Sequence, residues 1–195
     1  MQYRHDSPKA ESCAPPVPQP QAPLPAASYP CKPSWMTTAN LLDPRTALGH
    51  WATYMMGNYV SDIPAIPEDK WTSSMGGCTR PASEMTAEVV SILDWATTAL
   101  RGQPRTGNER ELIAEYAGRC STKDAAAAEI QRAVSEFVDA LARASDEKLT
   151  STVTAPWGAE MPLIMAAHVV SSHLWYHDAQ LNYIQCLLGD DKYHW

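Results

Sequence analysis

Nine of the sixteen prolines fall within the first 33 residues (Pro8, Pro15, Pro16, Pro18, Pro20, Pro23, Pro25, Pro30 and Pro33). That asymmetry divides the chain. Each proline fixes its φ and removes a backbone donor, so residues 1–34 can sustain neither a helix nor a sheet ladder. The expected arrangement is a proline-rich, irregular or disordered extension over 1–36 and a folded part over 37–195. Several of the later prolines punctuate instead. Pro44, Pro81 and Pro162 stand at the first turn of helical patterns, while Pro64 and Pro67 close one.

Beyond the extension the apolar spacing is near 3.6. A first helix over about 41–63 places Leu48, Trp51, Ala52, Met55, Tyr59 and Ile63 on one stripe. A second, about 81–101, carries Met85, Ile92, Trp95 and Ala99 and stops at Gly102. A polar connection holds at most a short helix around 109–118. The third, about 122–145, has Ser121 or Thr122 as its cap and presents Ile130, Val134, Phe137, Val138 and Leu141. The fourth runs over about 162–188 and ends at Gly189. No alternating strand pattern competes. The fold class is all-α, and four amphipathic helices of similar length imply a four-helix bundle.

A net charge of -7 and a pI near 5.3 argue against nucleic-acid binding, because an acidic surface repels phosphate. No apolar run reaches the roughly 18 residues of a membrane span, and no secretion signal is recognisable. Five scattered cysteines without a C-x-x-C pair suit a reduced, cytoplasmic chain.

Chemistry concentrates in the fourth helix. His173 and His177 are four residues apart, so their imidazoles lie on one helix face within reach of one ion. By helical projection Ala166, Val169, Val170, His173, His177, Gln180 and Ile184 share one side, so both histidines are expected to point into the bundle. Two readings are open: a divalent-metal site, or two core histidines bonded to carbonyls or tyrosines. In helix two Glu88 lies on the apolar stripe, where a carboxylate is costly unless paired or bound to a cation. It is either a third ligand or a boundary residue reaching water. Glu84 is the weaker candidate. Asp178 is expected to face away, His50 and His168 to be surface or interface residues, and His5 and His194 to be uninvolved.

Residues 41–189 resemble the DinB-like metalloprotein superfamily of four-helix bundles. Ile66-Pro67-Glu68-Asp69-Lys70-Trp71, Pro81-Ala82-Ser83-Glu84-Met85-Thr86-Ala87-Glu88-Val89 and Trp157-Gly158-Ala159-Glu160-Met161-Pro162-Leu163 carry part of the likeness. The most specific stretch is His173-x3-His177 followed by Ala179-Gln180-Leu181, similar to the family's H-x3-H-x-G-Q-L. Most members place a histidine where this chain has Glu88, so the resemblance implies a two-histidine, one-glutamate variant site for zinc, nickel, manganese or ferrous iron. The same substitution leaves open a site that no longer holds metal tightly. Gln180 is placed to hydrogen-bond a ligand or bound water.

The resemblance further implies a metal-dependent transferase acting on a small-molecule substrate with a low-molecular-weight thiol, and a possible homodimer. A non-catalytic metal-binding stress or interaction protein and a metal-dependent hydrolase are the alternatives.

Overall fold

The computed structural model describes residues 43–103 and 109–194; the expected proline-rich extension lies outside the described residues. Helix α1 spans Pro44–Asp62 and is followed by a 3-10 turn at Ile63–Ala65 and a short α2 at Glu68–Trp71. Then come α3 (Ala82–Leu100), α4 (Glu109–Arg119), α5 (Lys123–Arg143) and a one-turn α6 (Asp146–Thr150). Strands β1 (Thr152–Thr154) and β2 (Glu160–Pro162) lead into α7, Leu163–Leu187.

Local chemistry sets these boundaries. Asp43 caps α1 by accepting the Arg45 N–H at 3.0 Å, with Pro44 at the first position. Thr122 caps α5 and Ser145 caps α6 in the same way. Gly102 and Gly189 sit at φ +70° and +90° after the last turns of α3 and α7. At both ends the next residue's N–H reaches back five residues, Gln103 to the Thr98 carbonyl and Asp190 to the Gln185 carbonyl. A side chain at either glycine would strain the turn.

The four long helices α1, α3, α5 and α7 form the bundle, with α1 and α3 each packed on both α5 and α7. Trp71, Tyr59, Phe137, Met55, Leu93, Ile130, Leu141, Leu174 and Leu181 are among the side chains sealed in its core. The expected stripe of α1 is buried at Ala52, Met55, Tyr59 and Ile63. Trp51 departs from it and is exposed, its indole set edge-on against Trp175 at 5.8 Å. It stands where α1 meets α7, and the ring rests on the neighbouring helix rather than entering the core.

Several short elements escaped the periodicity, α2, α6 and the β1–β2 hairpin among them. The β1–β2 hairpin pairs Thr152 with Pro162, Val153 with Met161 and Thr154 with Glu160, and three-residue strands are too short to leave a period-2 signal. α6 is equally brief. The described glycine at the hairpin turn, Gly158, has φ +87°.

The buried face of α7 is rotated from the expected one. Leu163, Ala167, Val170, Leu174, His177, Leu181 and Gln185 face inward, which leaves His173 and Gln180 at the rim. Asp178, expected to face away, is buried. It lies beside Asp62 of α1. Asn182 donates to the Asp62 carboxylate, and the Gln185 amide donates to the Asp62 carbonyl at 3.0 Å.

Burial, the largest cause in both, raises the two carboxyls above the usual carboxylate range. The folded chain therefore holds their protons more tightly than the unfolded chain. Stability from the pair is full below about pH 4 and falls as pH rises toward the folded values. Asp178→Asn should flatten that fall. Thermal melts at about pH 5 and about pH 8 check it: wild type should lose more stability between them than the variant, and equal losses would contradict the tighter proton binding of the pair.

Candidate metal centre on helices α3 and α7

Glu88 projects from the second turn of α3, and His173 and His177 from successive turns of α7. The two helices pack together, and three atoms converge across their seam. His173 Nε2 lies 3.2 Å from Glu88 Oε1, His177 Nε2 lies 3.6 Å from the same oxygen, and the two nitrogens are 3.1 Å apart. His177 is fully buried, while the side chains of His173 and Glu88 keep 21% and 24% of their surface. One side of the triangle is therefore open.

The remaining polar atoms fix the direction of these three. His177 Nδ1 is 2.7 Å from Gln180 Oε1, so it carries the proton and its Nε2 presents a lone pair to the triangle. Arg80 donates to Glu88 Oε2, which leaves Oε1 for the imidazoles. The Tyr176 ring stands edge-on to His177 at 5.0 Å.

A triangle of mutual contacts is hard to build from hydrogen bonds. With His177 protonated at Nδ1, neutral histidines supply one N–H, on His173 Nε2, for three edges. A tetrahedral ion with bonds of about 2.0–2.2 Å would separate its ligand atoms by about 3.3–3.6 Å. The donor set, two imidazoles and one carboxylate, is one that binds divalent zinc, nickel or iron.

Glu84 is exposed and outside the triangle, as is His168. His194 pairs with Asp190, and His5 lies outside the described residues. Arg80 escaped the sequence reading: it precedes α3, eight residues from Glu88, and no helical spacing links them.

The family model for the DinB superfamily matches residues 47–181. The chain belongs to the DinB superfamily. Among solved structures, this DinB chain is similar to the mycothiol-dependent maleylpyruvate isomerase, at TM-score 0.55 and 15% identity over 74% of its own length. A point mutant of that enzyme matches equally, at TM-score 0.55 and 16% identity. Both share the fold, and the match covers 63% of the isomerase chain. No curated protein sequence matches. Among the described residues no helix is long and apolar enough to cross a membrane.

The electrostatics of the triangle give a test without metal. The neighbouring imidazoles, His173 first and then His177, together with the hydrogen bond from Arg80, hold the Glu88 carboxyl well below the usual carboxylate range, against the effect of burial. Its stabilising contribution is present above the unfolded value of about 4 and is lost as pH falls further. In metal-free protein the stability gap between wild type and Glu88→Gln should be widest near neutrality and shrink toward about pH 3. Urea unfolding across that range checks it, and a constant gap would show that the carboxylate is not engaged.

Proposed function

We propose that this protein is a divalent-metal-dependent transferase acting on a small molecule together with a low-molecular-weight thiol. The observation that carries this reading is the convergence of His173 Nε2, His177 Nε2 and Glu88 Oε1 at 3.1–3.6 Å. The thiol part draws support from the shared fold with a mycothiol-dependent enzyme.

His173, His177 and Glu88 would hold the ion. A bound divalent ion lowers the pKa of a thiol or water toward neutrality and so supplies a nucleophile. Each neighbouring residue has a definable task. Gln180 fixes the tautomer of His177 and keeps its lone pair on the site. Arg80 anchors the outer oxygen of Glu88, which settles which oxygen faces inward. Leu174 and Val170, on the same stretch of α7, are buried in the core. The partial exposure of His173 and Glu88 gives a substrate its approach.

Purified protein should carry roughly one divalent ion per chain. His173→Ala or His177→Ala should remove it, and Glu88→Ala should weaken binding strongly. Gln180→Ala should cost about 10–100-fold in metal affinity, the usual effect of removing a group that orients a ligand. Glu84→Ala should change little. Elemental analysis after reconstitution with zinc, nickel and iron reads all five. An empty protein would end the proposal, and a loaded one inert toward thiols would end its transferase part.

A further inference from the structure

Away from the metal triangle a cavity of about 430 Å³ opens among the C-terminal end of α3, α6, β1 and the start of α7. That volume lies within the roughly 300–1,000 Å³ of small-molecule sites. Trp95 and Leu163 supply apolar wall, and Thr98, Gln103 and Ser151 supply polar wall. Trp95 is seven residues along α3 from Glu88, about 10 Å at the helical rise, so this is a separate place in the fold.

Among the described residues Lys148 is the one charged side chain in the lining. It is half-buried, and no carboxylate among the described residues pairs with it. Its ammonium sits against Gly102, 3.7 Å from where a Cβ would stand. The nearby carbonyls of Thr98 and Ala99 are already taken by the N–H groups of Gln103 and Gly102. A half-buried cation facing a cavity in a chain of net charge -7 calls for an anion.

The hydroxyls specify more. Thr98 donates to the Trp95 carbonyl at 2.8 Å, and Ser151 donates to the Lys148 carbonyl at 2.7 Å. Their protons are committed, so toward a ligand they act as acceptors. The ligand must then bring donors as well as charge.

We propose that this cavity binds a small polyhydroxylated anion, with its charged group on Lys148 and its hydroxyls donating to Thr98 and Ser151. A sugar acid and a sugar phosphate share that chemistry. The full chain is titrated by calorimetry with gluconate, glucose 6-phosphate and neutral glucose. At least one charged probe should bind saturably, and the tighter of the two identifies the head group. Glucose should bind at least about tenfold more weakly, the scale of one charge-assisted contact. Lys148→Gln should cost the charged probe at least about tenfold, and Lys148→Glu more. Should Lys148→Gln melt early, salt decides: affinity of wild type for the charged probe must fall as ionic strength rises. Absence of saturable binding, equal affinity for glucose, or a folded Lys148→Gln that binds as wild type would overturn the proposal.

Discussion

Helix α7 carries polar groups into the core, and the bundle has to answer each of them. Ser171, His177, Asp178 and Gln185 are all buried on its inner side. Ser171 closes on the Ala167 carbonyl of its own helix at 3.0 Å. The others depend on neighbours: His177 on Gln180, His173 and Glu88, and Asp178 and Gln185 on Asp62. An unanswered buried polar group costs roughly 1–3 kcal/mol. The rotation of α7 about its axis is therefore set by two opposing demands, the α1 side drawing Asp178 inward and the α3 side drawing the histidines. His177 satisfies the second demand fully and His173 only at the rim.

This two-sided constraint explains why α7 was the hardest helix to orient from sequence. Projection by apolar residues alone groups Ala166, Val169, Val170, His173, His177, Gln180 and Ile184; Ala166, Val170, His177 and Ile184 are buried, whereas Val169, His173 and Gln180 lie at the rim. It cannot weigh Asp178, because a carboxylate is placed outward unless its partner is known. That partner, Asp62, is 116 positions away in the chain, on another helix. Helix α5 was more legible, since its buried face is apolar: Ile130, Val134, Phe137 and Leu141 lie as their spacing predicts. Trp51 failed for a different reason, its size being accommodated at a seam and not in the interior. The cap at Asp43 and the glycine stops were readable because they act through local chemistry.

The candidate metal residues were legible for the same reason that α7 was partly misplaced. His173 and His177 announce themselves by their spacing, and Glu88 by its place on an apolar stripe. Their mutual approach is a tertiary fact. Arg80 had no signal at all, since its tie to Glu88 crosses the turn before α3. The surrounding groups thus divide into those written within one helix, such as Gln180 three residues from His177, and those written only in the packing.

The triangle also has a mechanical meaning. Two of its corners belong to one stiff helix and the third to another, joined by a long stretch of chain. A slip of one residue along either axis displaces a corner by about 1.5 Å, whereas coordination tolerates about 0.2 Å. An ion seated there would act as a gauge of alignment between α3 and α7, gripping only when the two helices are in register. A displacement of either helix along its axis would reach it as a change of grip, with no alteration at the three residues themselves.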